Sequence, residues 1–333
     1  MSFIENIKNT ARADLKTIVL PEGTDIRVLQ GGVQAVEEGY AKVIFVGNKE
    51  ERGKLAKENN IDASKLQIVD PATSEKAEEY ANVLFELRKT KGMTESKAKS
   101  LMLDPVYFGM MMVKENDADG LVSGADHSTA DTLRPALQIL KTAPGTKLVS
   151  AFFVMVTNTE YGEDGVLVFG DCGLNENPDA ESLSEIAKSS SDSFEEITGK
   201  KAKVAMLSYS TYGSAKSPLT EKVIEATKLV KEKYPEVEVD GELQLDAAIV
   251  ESVGQKKAPG SSVAGKANVL IFPDLNAGNI GYKLVQRFGK AEAYGPLCQG
   301  IARPVNDLSR GCSAEDVAGV IAFTAVQAQN IEK

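Results

Sequence analysis

One histidine, His127, stands among 333 residues, and that scarcity limits the chemistry, because any Cys–His or Ser–His dyad must use it. Three cysteines, Cys172, Cys298 and Cys312, are too few and too scattered for a disulfide framework or a zinc site, and they fit a reducing compartment. The longest apolar stretch, Val149 to Val156, contains a serine and is far too short to span a bilayer. Residues 1–16 form a mixed-charge helical pattern without the apolar core of a secretory signal, so a soluble, cytoplasmic protein is expected. No Gly-x-Gly-x-x-Gly follows a strand and opens a helix, so the usual dinucleotide fingerprint is absent. Low-complexity tracts are missing as well, which argues against disorder. The formal charge of −10 offers no basic face for nucleic acid. Arginine is sparse too. Of 38 basic residues only eight are arginine: Arg12, Arg27, Arg52, Arg88, Arg134, Arg287, Arg303 and Arg310. Where lysine serves for ordinary surface charge, the few arginines become candidates for bidentate anion binding.

What is present reads as an α/β enzyme. The length exceeds the usual limit for one core, so two domains are expected. Apolar content of 42% with 26% charged residues is ordinary for a globular protein. Apolar runs at 17–20, 42–46, 67–69 and 120–122 alternate with helical patterns at 25–36, 49–59, 75–89, 94–103, 106–114 and 128–141. The second half continues with strands expected at 148–156, 166–170, 203–208 and 268–272, and helices at 180–197, 218–233, 242–251 and 277–289. Such alternation marks mainly parallel sheets covered by helices. Turn signals at Ala143-Pro144-Gly145 and Tyr294-Gly295-Pro296 are candidate domain boundaries. Gly260 to Lys266 imitates a P-loop, but Ala267 replaces the hydroxyl that magnesium needs, and a strand follows it where a helix should. Nucleotide hydrolysis is rejected.

Four polar loops fall at the expected carboxyl ends of strands, where ligands bind such sheets. One is Ser123 to Thr129, with Ser128 or Thr129 placed to meet a phosphate at a helix N-terminus; an ordinary N-cap with a hydrogen-bonded histidine is the other reading. The second and third are Ser208 to Ser214 and Phe272 to Asn276. The fourth, Asn306 to Asp316, is the richest, with a hydroxyl, a guanidinium, a thiol and acids ahead of an apolar stripe at Val317, Val320, Ile321, Thr324 and Ala328. Arg310 can fork onto a phosphate with two parallel hydrogen bonds. Ser313 and Asp316 have capping-box spacing, so Asp316 is either a cap or a reactive carboxylate, and spacing leaves both open. Cys312, between a glycine and a helix N-terminus, sits where a thiol pKa is expected to fall.

Longer blocks go further. Val122 to Pro135 (VSGADHSTADTLRP), Ala205 to Lys216 (AMLSYSTYGSAK), Ala258 to Val269, Phe272 to Ile280 and the 306–316 stretch together resemble the phosphate acetyl/butyryltransferase family, phosphate acetyltransferases (phosphotransacetylases) in particular, over essentially the whole length. The resemblance implies reversible transfer of an acetyl group between coenzyme A and inorganic phosphate, giving acetyl phosphate, with a place in acetate metabolism. It implies two three-layer α/β domains similar to isocitrate and isopropylmalate dehydrogenases, a cleft between them, and a homodimer. The first domain is then discontinuous, residues 1–145 plus 296–333, and the second is 146–295. Carried over by motif, Arg310 resembles the phosphate-binding arginine, Ser309 the transition-state hydroxyl, and Asp316 the base for the coenzyme A thiol. Arg88, Arg134 and Arg287 match arginines tied to coenzyme A. No metal and no cofactor beyond coenzyme A as substrate is implied. A phosphate butyryltransferase, or a metal- and NAD-dependent decarboxylating dehydrogenase on the same architecture, are the alternative activities.

Overall fold

Helices and strands alternate along the chain, and the computed structural model describes residues 2–331. Helix α1 (Phe3–Ala13) is followed by β1 (Thr17–Leu20), α2 (Ile26–Glu37), β2 (Lys42–Val46), α3 (Lys49–Glu58), β3 (Gln67–Val69), α4 (Ala77–Arg88), α5 (Glu95–Leu101), α6 (Pro105–Lys114), β4 (Gly120–Ser123) and α7 (Thr129–Ile139). Next come β5 (Ser150–Val156), β6 (Val166–Gly170), α8 (Ala180–Thr198), β7 (Val204–Leu207), α9 (Pro218–Lys233), β8 (Val239–Leu243), α10 (Leu245–Ile249), α11 (Glu251–Lys257), β9 (Val269–Ile271), α12 (Leu275–Arg287) and β10 (Glu292–Gln299). The chain closes with β11 (Val305–Asp307) and α13 (Ala314–Gln329).

Two units divide it. One holds the residues up to Gly145 and those from Ile301 onward; the other is Thr146–Gly300. From the sequence the return was expected at residue 296, but β10 runs through that proline and stays paired with β5 as far as Gln299. The pairing, with a register shift between Tyr294 and Leu297, absorbs the Gly295-Pro296 turn signal inside a strand.

The first unit carries a five-stranded sheet in the order β11-β4-β1-β2-β3, with every pairing parallel. Strands β1, β2 and β4 are largely apolar because helices cover both faces of such a sheet. Helix α13 packs on α1, α2 and β4, and Val317 to Val326 are all buried. It is therefore buried all round, whereas the sequence pattern displays a stripe. Close approach to α2 requires Gly31, where a Cβ would lie 2.7 Å from the Ala314 carbonyl and from Val317.

The second unit carries a six-stranded sheet, β10-β5-β6-β9-β7-β8. Strands β6, β9, β7 and β8 run parallel, while β10 and β5 add antiparallel pairings at one edge. Its core includes Phe153 stacked on Tyr282, with ring centroids 4.0 Å apart, and Leu167, Leu207, Leu243 and Leu270. The helix expected over 242–251 is instead the end of β8 followed by α10 and α11. Extended backbone at Val250 separates those two short helices.

Candidate active site

In the first sheet the chain lays down β1, β2 and β3 in one direction, then places β4 on the other side of β1. Strand order thus reverses between β1 and β4, and ligands of open α/β sheets bind beyond the carboxyl ends of strands at such a point. Two loops leave there, one after Leu20 and one after Ser123. Glu22, only 3% exposed, joins them. Its Oε2 accepts from the backbone N–H groups of Gly124 (2.7 Å) and Ala125 (2.9 Å), and its Oε1 from those of Asp126 (3.0 Å) and His127 (2.8 Å). The His127 ring adds Nδ1, 2.7 Å from Oε1. This run of N–H groups is the kind of backbone cradle that binds anions, and here a protein carboxylate fills it. Gly124 is required in that loop: its φ is +112°, and a Cβ would sit 2.1 Å from Asp307 Oδ1.

The hydroxyls expected to meet phosphate are committed to carboxylates. Ser128 Oγ donates to Asp131 Oδ2 at 2.6 Å while accepting from the Asp131 N–H, and Thr129 Oγ1 donates to Asp307 Oδ2 at 2.6 Å. Asp307 ends β11, is 1% exposed, and has its pKa pushed up to about 6, chiefly by burial and further by the charge of Glu22.

Past Asp307 the chain turns through Leu308 to Gly311 and enters α13. Asn306 behind it is held by Thr324 Oγ1 (2.8 Å) and Gln327 Oε1 (2.7 Å) of that helix. Ser309 is half-buried, with its Oγ accepting from the Gly311 N–H at 3.3 Å. Arg27 staples the turn: its Nη1 donates to the carbonyls of Arg310 (2.8 Å) and Cys312 (3.0 Å), and its Nη2 to that of Ala125 (3.0 Å). Asp25, the N-cap of α2, grips the same guanidinium at 2.6 Å. One arginine thereby gathers the loops after β1, β4 and β11.

Ser313 and Asp316 form a reciprocal capping box at the start of α13. Asp316 Oδ2 accepts from the Ser313 N–H at 2.8 Å, and Oδ1 has no partner among the described residues. Capping thus occupies one oxygen and leaves the other available. Cys312 runs against expectation. The helix N-terminus and Arg27 favour a thiolate, but burial outweighs them and pushes its pKa up to about 11.

The eight arginines separate into two sets. Arg12 binds Glu5, Asn9 and the Glu38 carbonyl; Arg27 is the staple; buried Arg52 donates to the carbonyls of Pro21 and Val46; Arg303 binds Asn116. The other four, Arg88, Arg134, Arg287 and Arg310, are those picked out in the sequence. Among the described residues only Arg134 has a partner, Asp131, at a loose 3.8 Å with both side chains mostly exposed. Arg88 at the end of α4 and Arg134 on α7 both lower the Tyr107 phenol pKa against a net rise from burial, so both lie near that α6 residue. Arg287 is exposed in the last turn of α12, in the other unit.

In that second unit, a cavity of about 340 Å³ opens at the ends of β7 and β9, lined in part by Ser208, Tyr209, Phe272, Pro273 and Asp274. Both polar loops of the sequence, Ser208 to Ser214 and Phe272 to Asn276, contribute residues to its lining. The sequence gives no sign of Glu22 beyond an acid directly after an apolar strand, in Pro21-Glu22-Gly23. It offers Arg27 only as one of eight candidate anion binders, whereas the structure makes it a clamp on backbone carbonyls.

Among the described residues no helix is long and apolar enough to cross a membrane, and no cluster of three or more His, Cys, Asp or Glu is placed to hold a metal. The sequence matches the family described as Phosphate acetyl/butaryl transferase over residues 2–325. A phosphate acetyltransferase from Acetivibrio thermocellus is 64% identical over 333 residues, covering the whole of both chains. The structure of a phosphotransacetylase from Streptococcus pyogenes superposes with a TM-score of 0.91 at 42% identity, over 99% of each chain. A Salmonella typhimurium structure named for 4-hydroxythreonine-4-phosphate dehydrogenase, 10% identical, matches at a TM-score of 0.56 over 94% of this chain and 99% of its own, a likeness of fold alone.

Proposed function

The chain belongs to the phosphate acetyl/butyryltransferase family, and we infer from that membership and the site that it transfers an acetyl group reversibly between coenzyme A and inorganic phosphate. Acetyl-CoA and phosphate give coenzyme A and acetyl phosphate. The observation that carries the site assignment is Arg310: exposed, without a protein partner among the described residues, and presented by a turn whose backbone is clamped by Arg27. A guanidinium left empty on a fixed backbone suits a phosphoryl group.

Transfer proceeds by direct displacement with both substrates bound. A thiol of pKa about 8.5 is mostly protonated at neutral pH, so a base must take its proton. Asp316 is assigned that role through its free Oδ1, with Oδ2 fixed by the cap. Negative charge gathering on the attacked carbonyl is met by the Ser309 hydroxyl, and the departing phosphate is held by Arg310. Arg88, Arg134 and Arg287 are assigned to the phosphates of coenzyme A, Arg287 on the resemblance alone. The chemistry as written uses no metal and no cofactor, and a cytoplasmic homodimer is the proposed form.

The test is release of free thiol from acetyl-CoA on adding phosphate. Phosphate-dependent release is expected, and its absence at saturating substrates would refute the activity. Acetyl and butyryl phosphate, compared as acyl donors, decide chain length; faster turnover of acetyl phosphate is expected.

A further inference from the structure

Resting on that reaction, the proton balance asks for one more residue. In thioester synthesis the sulfur–carbon bond forms, the bond from the acetyl carbon to the bridging oxygen breaks, and its electron pair leaves on that oxygen. The thiol proton departs on Asp316, yet the product is HPO₄²⁻ rather than the trianion, so a proton must also arrive at the phosphate. Arg310 neutralises charge there but does not give up a proton at accessible pH. Asp307 is buried against Thr129, and the Cys312 thiol is buried.

We propose that His127 is the proton carrier on the phosphate side, with its Nε2 donating to the bridging oxygen during thioester synthesis and taking the proton from phosphate in the reverse reaction. Glu22 fixes the ring. With both its oxygens already accepting backbone N–H groups, Glu22 can only accept from Nδ1, so Nδ1 carries a proton and Nε2 is the working atom. A buried carboxylate orienting one imidazole nitrogen while the other faces the reaction is the general logic of an oriented acid–base histidine. The side chain is 38% exposed, and Nε2 has no partner among the described residues. Its loop also adjoins that of Arg310, because Arg27 holds the Ala125 carbonyl with one nitrogen and the Arg310 carbonyl with the other. The parent strands β4 and β11 end side by side, Ser123 opposite Asp307.

The charged groups about His127 are Glu22 from the β1 loop, hydrogen-bonded to its ring, and Asp131 from α7, with Arg27 of α2 on the Ala125 carbonyl of the same loop and Asp307 of β11 within reach of the Glu22 charge. In thioester synthesis the imidazole acts as an acid, so activity should fall as pH rises through its titration. In phosphorolysis it acts as a base, and the same titration should appear as a fall toward low pH. The limb changes sides with the direction of reaction.

The experiment is steady-state kinetics of His127→Gln in both directions across pH, with thermal melts, beside His127→Gly with and without imidazole. Expected are a loss of about 100-fold or more in kcat in both directions, a coenzyme A KM close to wild type, and disappearance of the direction-dependent limb. Imidazole should restore part of the rate to the glycine variant. Wild-type turnover in His127→Gln overturns the proposal. So does lost activity accompanied by a lowered Tm, unchanged pH limbs and no response to imidazole, which leaves the residue a structural one. A wild-type chain that makes no acetyl-CoA refutes the parent activity, a result distinct from either.

Discussion

Thr129 Oγ1 donates to Asp307 Oδ2 at 2.6 Å, tying the first residue of α7 to the last of β11. Its acceptor is a carboxylate with almost no exposure to water.

That burial has a pH signature. The Asp307 pKa rises from 3.8 to about 6 on folding, so between those values the native state holds a proton the unfolded state has lost. The contribution of Asp307 to stability is therefore unchanged below about pH 4 and falls as pH climbs to about 6, by about 3 kcal/mol. Asp307→Asn, which cannot ionise, should remove that fall. Denaturant titrations of both proteins at about pH 4 and about pH 7 check it, and equal pH slopes would remove Asp307 as the cause.

Arg310→Lys keeps the charge and loses the fork. Turnover is expected to drop on the order of 100-fold, the scale for removing a donor aimed at developing charge, with the fold unchanged. Steady-state kinetics alongside a thermal melt is the check.

Arg88 and Arg134 sit near Tyr107 and are exposed or half-exposed. Replacing either by alanine should raise the coenzyme A KM roughly tenfold, from loss of a charge-assisted hydrogen bond, and move the acetyl phosphate KM far less. The opposite pattern would transfer them to the other substrate.

Cys312 offers a reactive-looking thiol in sequence but a buried, protonated one in the structure. Cys312→Ser should retain most activity, and initial-velocity patterns should show both substrates bound before either product leaves. A ping-pong pattern, or acetyl trapped on the protein, would install the thiol as a nucleophile.

How much of this was legible follows the physics of each element. Strands such as Thr17–Leu20 and Val166–Gly170 were readable because burial on both faces makes them apolar runs. Strands β8 and β11 were not, since Asp240, Glu242, Asn306 and Asp307 are buried polar residues matched by distant partners. Tyr212 and Ser261 bind Asp240, Ser210 binds Glu242, Thr324 binds Asn306 and Thr129 binds Asp307. Composition makes such residues look like loops; only the fold supplies their partners. The arginine shortlist was visible as scarcity, yet the division into clamped and empty guanidiniums appears only once partners such as Asp25 for Arg27 and Asn116 for Arg303 are in place. Glu22 escaped notice because its partners lie about a hundred residues away, in the loop it holds.

The most direct measurement is Asp316→Asn, because the residue caps a helix with one oxygen and is assigned the thiol proton with the other. Asparagine caps nearly as well as aspartate, so stability should change by about a kilocalorie or less. Turnover should nonetheless fall by two to four powers of ten, the scale of general-base loss, and the deficit relative to wild type at the same pH should narrow toward alkaline pH as coenzyme A ionises unaided. Wild-type turnover with only a lowered Tm would make Asp316 a cap and nothing more.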